Sequence, residues 1–372
     1  MYVDVSEPQA AETAPGLLTI NLSALARNYR ALAARLAPTA AGAVVKADAY
    51  GLGATRVAPA LHAAGCRTFF VAHLGEALKL RRLIPDDSRL FVLNGLLPGA
   101  EALCADADII PVLNSLEQVA NWAAAAQAQG RSLPAALQFD TGMSRLGLSD
   151  DEAQALVDDP SLLRGIDIAF VMSHLASADE PDSPQNAAQL AAMRRFAAAY
   201  PGLDICFSNS GGIFLDAGYH VALARPGIAL YGGAPTGGIG NPMEPVVRLD
   251  VRVTQTRTVP AGARVGYGGT YVTKGETRLA TVAAGYADGL PRHLSDRGAA
   301  YFGGTRLPIV GRVSMDAMTL DISALPEGAL KLGSLVEIIG PHQSLEDVAA
   351  AAGTIAYEIL TSLGQRYHRA YR

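Results

Sequence analysis

Ala41–Gly53 reads AGAVVKADAYGLG, and its centre decides the fold. Gly42–Val45 is short, apolar and β-branched, the pattern of a buried strand. Lys46 stands where that strand ends. Burial there penalises the charged ammonium and lowers its pKa, which leaves an amine able to attack an aldehyde. Taken alone, a strand-end lysine more often carries its charge out to water along its alkyl stem. Asp48, Tyr50, Gly51 and Gly53 follow, and the glycines permit a sharp turn or a close backbone approach to a ligand. The helical segment Ala54–Ala64 comes next. This order of strand, polar strand end, turn and helix then recurs along the chain.

Short β-like runs occur at Gly42–Val45, Thr68–Ala72, Arg89–Leu93, Ile109–Leu113, Ala135–Phe139, Ile168–Ser173, Asp204–Phe207 and Ile228–Tyr231. Between most of them lie alanine-rich helical segments, among them Gly75–Leu83, Ser115–Gln129 and Gln185–Tyr200. A helix over Leu22–Leu36 precedes them, with Asn21 or Ser23 placed to cap it, after a strand-like run at Leu17–Asn21. Eight strands alternating with helices predict a closed parallel barrel of the (β/α)8 TIM type. The alternative is an open doubly wound sheet, but no GxGxxG follows a first strand to support it.

The pattern changes after Gly237–Pro245, whose glycines and prolines read as a linker. Leu249–Thr258 alternates polar and apolar residues, and Leu279–Ala283, Leu307–Val310, Met318–Ile322 and Ser334–Ile339 also read as strands. Ser344–Ala352 and Thr354–Arg369 read as closing helices. The expected organisation is therefore a barrel domain over 14–240 and a mostly-β domain over 241–372.

Composition narrows the function. The 372 residues carry a net charge of −5 and half are apolar, so a large core is available and nothing favours nucleic acid. No apolar run reaches the ~18–20 residues that span a bilayer. The start of the chain, MYVDVSEPQAAETAPG, lacks a basic n-region and reads as a frayed leader rather than a secretory signal. Cys66, Cys104 and Cys206 are odd in number, far apart and without a CxxC. That pattern fits free thiols in a reducing cytoplasm, without a disulfide or a metal site.

In a barrel the active site gathers at the C-terminal ends of the strands. Lys46 and Tyr50, His73, Asn94, DTGMSR (Asp140–Arg145), His174 and Ser208-Asn209-Ser210 all follow strand-like runs, and Arg225 lies just before the last. Each has an ordinary reading by itself. His174 suits a core, Ser210 a helix cap and Tyr357 the inner face of a helix. Their convergence on one rim is what points to a site. His73 and Asn94 receive no role.

VVKADAYGLG (Val44–Gly53) resembles the cofactor-lysine segment of the alanine racemases, which bind pyridoxal 5′-phosphate (PLP). The resemblance extends from about Leu17 to the C-terminus. It implies that Lys46 holds the cofactor and that Tyr50 reaches its phosphate. In ARPGIALYG it implies that Arg225 contacts the pyridine nitrogen and that the amides of Gly227 and Ile228 meet the phosphate. Ser210 of SNSGG and Tyr357 of GTIAYEIL match further phosphate ligands. His174 of SHLASAD matches the histidine that supports the arginine. In the second domain, Tyr267 of VGYGGTY matches a second catalytic base delivered from the partner subunit. Met315 of GRVSMD matches the residue whose amide meets the substrate carboxylate, and Arg145 the arginine that steadies that carboxylate. Asp179, Arg292 and Arg312 fit the substrate corridor. GYADGLPR (Gly285–Arg292) matches as well.

The resemblance thus implies a cytoplasmic, PLP-dependent homodimer that interconverts L-alanine and D-alanine by a two-base mechanism and supplies D-alanine for cell-wall peptidoglycan. A broad-specificity amino-acid racemase, a barrel-type PLP decarboxylase and a non-catalytic PLP carrier are the alternatives. Arg225 argues against a decarboxylase, which pairs the pyridine nitrogen with an acid. VGYGGTY and GRVSMD argue against a carrier. The chain departs from the family pattern at Gln138, where many relatives carry a lysine that becomes a carbamate and holds the arginine matching Arg145. An amide cannot be carbamylated, so the expectation is a direct hydrogen bond from Arg145 to Gln138.

Overall fold

The structure, a computed structural model, describes residues 11–238 and 240–372. The first ten residues of the expected leader lie outside the described residues. Contacts divide the chain into two compact units: Leu25–Leu230 with Ala234–Met243, and the residues up to Ala24 with Tyr231–Gly233 and Glu244–Arg372.

The first unit is a parallel barrel. Its sheet runs through β2 (Ala40–Ala41), β3 (Ala43–Val44), β4 (Thr68–Val71), β5 (Arg89–Val92), β6 (Ile110–Leu113), β7 (Leu133–Gln138), β8 (Ile166–Met172), β9 (Ile205–Cys206) and β10 (Leu223–Ala224). Each of β3 to β9 pairs in parallel with the next strand in the chain. Ala40–Ala41 pairs with Leu223–Ala224, while Ala43–Val44, just beyond Gly42, pairs with Phe69–Phe70. The sheet therefore returns to its own beginning and closes. Helices over Ala54–Ala63, Leu74–Arg81, Leu116–Gln129 and Pro184–Ala198 lie where the alternation predicts them.

Two expectations are corrected here. Ile228–Tyr231 is a 3-10 turn, and the eighth strand is Leu223–Ala224. Pro226 has no N–H to give a ladder, and the Gly227 and Ala229 amides bond a serine side chain instead. The glycine-rich stretch read as a linker is tied to the barrel, with the Gly237 N–H donating to the Asp179 carbonyl at 2.8 Å.

Inside the barrel, Phe91 lies 5.2 Å from Phe70 and 4.8 Å from Phe170, centroid to centroid. All three rings are buried. They make an apolar floor, and the Arg225 guanidinium carbon sits 6.0 Å from the Phe70 centroid. Burial in such an interior disfavours charge, and it is the largest cause of the Lys46 and His174 pKa shifts described below.

The second unit is built on one long strand, β11 (Val247–Val259). Gly16–Ile20 pairs antiparallel with it and parallel with His368–Tyr371. So the strand near the start of the chain, assigned above to the barrel domain, belongs to the β-rich unit. Its alternating burial, with Leu18 and Ile20 fully inside, seals that unit's core. The expected helix over Thr354–Arg369 is shorter, Ala356–Ser362, and the chain then turns into the His368–Tyr371 strand. Among the described residues no helix is long and apolar enough to cross a membrane.

Candidate active site

Lys46 is held by backbone bonds made just before it. The Val44 N–H donates to the Pro226 carbonyl at 2.9 Å and the Val45 N–H to the Phe70 carbonyl at 2.8 Å. The strand end is thereby fixed between ARPG on one side and β4 on the other. Immediately after Lys46 the backbone is left-handed, with φ of 52°, 54°, 54° and 55° at Ala47, Asp48, Ala49 and Tyr50. Each non-glycine residue in that region costs about 1–2 kcal/mol. Such strain persists where surrounding structure imposes it, and it concentrates at functional sites. The Asp48 carboxylate accepts from the Ala54 N–H at 2.7 Å. Glu76, which the sequence reading passed over, accepts from the Ala47 N–H at 2.6 Å. Burial, then Arg145, pushes the Lys46 amine below its ordinary pKa; Glu76 opposes them and Arg225 adds to them. The result favours the neutral, nucleophilic amine.

Arg225 is 3 % exposed and, among the described residues, has no carboxylate partner. Its Nη1 donates to the Cys206 carbonyl at 2.9 Å and to Cys206 Sγ at 3.0 Å, and its Nη2 to the Ser173 carbonyl at 2.8 Å. Nη2 also donates to His174 Nδ1 at 3.3 Å. Nε makes no hydrogen bond among the described residues. Burial, then the cations Arg225, Arg145 and Lys46, pushes His174 down to about 3. A neutral imidazole can accept the Arg225 proton, and an imidazolium could not. Burial also pushes the Cys206 thiol up, so the sulfur beside the guanidinium stays protonated.

A second cluster faces Tyr50. Ser210 Oγ accepts from the Gly227 N–H at 2.9 Å and from the Ala229 N–H at 3.3 Å. The Ile228 N–H between them has no acceptor among the described residues. A Cβ on Gly227 would lie 2.2 Å from the Tyr50 hydroxyl, so only glycine lets the phenol approach this backbone. The Ser210 and Tyr50 hydroxyls and the Ile228 N–H make a cluster of donors suited to an oxyanion.

Arg145 is exposed, in a loop organised by Asp140. Asp140 Oδ1 accepts from the N–H groups of Gly142, Met143 and Ser144 at 2.9, 3.0 and 3.1 Å. The expected bond to Gln138 is absent: Gln138 is buried at the end of β7, and no hydrogen bond joins it to Arg145 among the described residues. The loop backbone places the arginine instead. The reading also missed Gln189, 1 % exposed, which donates to the His174 carbonyl at 2.9 Å and to Thr141 at 3.1 Å while accepting from the Ala176 N–H at 2.8 Å. A glutamine mid-helix carries no local signal for such a role. His73 and Asn94 are both exposed and lie 3.5 Å apart, with nothing that assigns them a function.

The barrel unit thus contains Lys46, Tyr50, Arg145, His174, Ser210, Arg225, Gly227 and Ile228. The β-rich unit carries Tyr267, Met315 and Tyr357, at 72 %, 52 % and 42 % exposure. Tyr267 opens a turn flanked by Gly266 and Gly268 at φ of 70° and 74°, which turns the ring outward. The Ala287 N–H donates to the Met315 carbonyl at 3.0 Å. Arg366 joins the buried Asp288 at 2.6 Å and Asp316 at 2.6 Å, so GYADG and SMD are clamped together.

Residues 20–235 match the family described as alanine racemase, N-terminal domain, and residues 246–371 the family described as alanine racemase, C-terminal domain. The chain belongs to the alanine racemase family. It is 64 % identical over 362 residues, 97 % of this chain and 96 % of the relative, to a protein of Rhizobium johnstonii named alanine racemase, catabolic. It is 58 % identical over 384 residues to an alanine racemase of Brucella canis, covering 100 % of this chain and 97 % of the relative. Among solved structures it resembles the alanine racemase of Bartonella henselae with covalently bound pyridoxal phosphate. The TM-score is 0.93 at 46 % identity, over 96 % of this chain and 100 % of that one.

Proposed function

We propose that this alanine racemase interconverts L-alanine and D-alanine with pyridoxal 5′-phosphate on Lys46. The observation that supports this most is the pairing, in one barrel unit, of a lysine whose pKa is lowered with a buried arginine held by carbonyls and, among the described residues, by no acid. The residues fit the cofactor: an amine for its aldehyde, the Tyr50, Ser210, Gly227 and Ile228 cluster for its phosphate, and the uncommitted Nε of Arg225 for its pyridine nitrogen. Bound PLP supplies an electron sink that stabilises negative charge at the substrate Cα.

The chain supplies orientation and two bases. Lys46 works on the face of the D-enantiomer. Tyr267, exposed on its glycine-flanked turn, works on the face of the L-enantiomer of a second copy in a homodimer. A guanidinium is always protonated and accepts nothing. Arg225 would therefore hold the ring nitrogen as a hydrogen-bond donor and take no proton from it. His174 and the surrounding carbonyls hold Arg225 in place for that task. Arg145 and the Met315 amide take the substrate carboxylate, and Tyr357 a further phosphate contact.

The test is incubation with L-alanine in D2O, following optical rotation, Cα deuteration and CO2. Loss of rotation with deuteration and no CO2 is expected. CO2 release would support a decarboxylase, and unchanged alanine a carrier. Equal rates with larger amino acids would support a broad-specificity racemase. A cytoplasmic role in supplying D-alanine for peptidoglycan is the physiological reading. The relatives of Rhizobium johnstonii and Agrobacterium fabrum are named catabolic, which favours a second reading in which D-alanine is consumed. A D-alanine requirement after deletion of the gene supports the first; loss of growth on D-alanine alone supports the second.

A further inference from the structure

The left-handed turn after Lys46 is held in part by a residue from another βα unit. Glu76 lies on the helix Leu74–Arg81. Its Oε1 accepts from the Ala47 N–H at 2.6 Å, and its Oε2 from the N–H groups of Ala72 at 2.8 Å and His73 at 3.0 Å. One carboxylate thus links the end of β4 to the residue immediately after Lys46. A carboxylate suits this because both oxygens only accept. A glutamine in its place would turn an NH2 toward at least one backbone N–H. Within the turn itself, the Ala49 N–H donates to Val45 and the Gly51 N–H to Ala47, at 2.9 and 2.7 Å. Neither bond uses the Ala47 N–H, the one Glu76 takes.

Charge adds a second argument. The groups acting on the Lys46 amine are Arg145, Glu76 and Arg225, and Glu76 is the negative one. His174 is neutral, and Asp48 is turned to the Ala54 amide.

We propose that Glu76 is the positioning residue of the cofactor lysine, pinning the left-handed turn through the Ala47 N–H and setting a negative charge against the cations around the amine. This rests on Lys46 being the cofactor lysine.

The test uses the full-length chain stripped of cofactor, as the unmodified protein, Glu76→Gln, Glu76→Asp, and Glu76→Gln combined with Ala47→Gly. Three things are measured: the rate of PLP capture, the pH at which Lys46 is half-labelled by a small amine reagent, and the urea midpoint. Borohydride fixation and peptide mapping locate the captured cofactor. Glu76→Gln should slow capture about tenfold, the effect of one charge-assisted hydrogen bond, and should move half-labelling to lower pH. Ala47→Gly tolerates positive φ without strain, so in the double variant it should restore most of the rate but not the labelling pH. Glu76→Asp keeps the charge but is one methylene shorter, so it should hold the labelling pH nearer the original while capture stays slow. Glu76→Gln with unchanged capture and unchanged labelling pH overturns the proposal. So does slowed capture that tracks the urea midpoint alone and is not restored by Ala47→Gly, which is what a simple helix cap would give. An adduct on another lysine of the unmodified protein overturns the reading of Lys46 and this inference with it; an adduct on Lys46 leaves Glu76 as the point decided.

Discussion

Ser210→Ala removes one oxygen and orphans two amides. Ser210 Oγ accepts from Gly227 at 2.9 Å and from Ala229 at 3.3 Å. Ser210 is 4 % exposed, Ala229 is fully buried, and the Gly227 backbone is buried too. A buried N–H left without an acceptor costs roughly 1–3 kcal/mol. With one short bond and one long one, the cofactor-free protein should lose about 2–4 kcal/mol of stability. The comparison variant is Ser208→Ala. Ser208 donates to the Tyr219 carbonyl at 2.7 Å, so removing it deprives one carbonyl and should cost only about 1 kcal/mol. Urea unfolding followed by fluorescence suits the question, because the single tryptophan, Trp122, is 1 % exposed in the barrel unit. Added PLP should recover less stability in Ser210→Ala than in the parent chain, since the phosphate pocket has lost a hydroxyl. Equal losses in the two variants, or a loss below about 0.5 kcal/mol for Ser210→Ala, would refute the idea that Ser210 organises those amides.

Gly227→Ala sets a Cβ 2.2 Å from the Tyr50 hydroxyl; overpacking of about 1–3 kcal/mol should weaken PLP binding roughly tenfold or more by equilibrium dialysis. His174 binds its proton far more weakly folded, at about 3, than the ordinary 6.5. The unfolded chain therefore takes up that proton first, and stability should fall as pH drops from about 6.5 toward 3; His174→Gln should flatten that limb in pH-dependent urea titrations. Asp140→Ala frees three loop amides and should raise the KM for alanine, whereas Gln138→Ala should leave it unchanged, with activity independent of added bicarbonate in both. Asp288→Ala removes the buried end of the Arg366 clamp, and should lower the thermal midpoint and raise KM together.

The barrel was legible because its signals are local. Each strand is a short apolar run, each helix has apolar spacing, and caps such as Asn21 on Ala24 and Ser115 on Gln118 are written in neighbouring residues. Most of the polar site was legible for the same reason, since strand ends can be located from the runs themselves. What escaped depends on partners far along the chain. Ile228–Tyr231 is apolar enough to read as a strand, yet Ser210 takes two of its neighbouring amides. His368 and Arg369 close the segment read as a helix, yet they begin a strand, His368–Tyr371, that pairs with Leu17–Ile20 at the opposite end of the chain. Glu76 and Gln189 are ordinary helix residues until the backbone they grip is known.

Arg145 and Arg225 show why a charge partner is a poor guide to what fixes an arginine. The sequence draws attention to Gln138 because the resemblance leads one to expect an anion beside Arg145, and an amide stands there instead. Here Arg145 follows a turn whose three amides converge on Asp140, with Ser144 at φ 54°. Its position comes from the backbone, and the exposed guanidinium has no carboxylate partner among the described residues. Arg225 is the buried counterpart. Carbonyls of Ser173 and Cys206 take its terminal nitrogens without neutralising its charge. A carboxylate partner in either place would have offset the positive field that, after burial, lowers Lys46 and His174. Holding both arginines by neutral oxygens and by chain geometry keeps that field intact. Burial first, and that field after it, lowers both the lysine amine and His174; His174, at about 3, is neutral and accepts the Arg225 hydrogen bond.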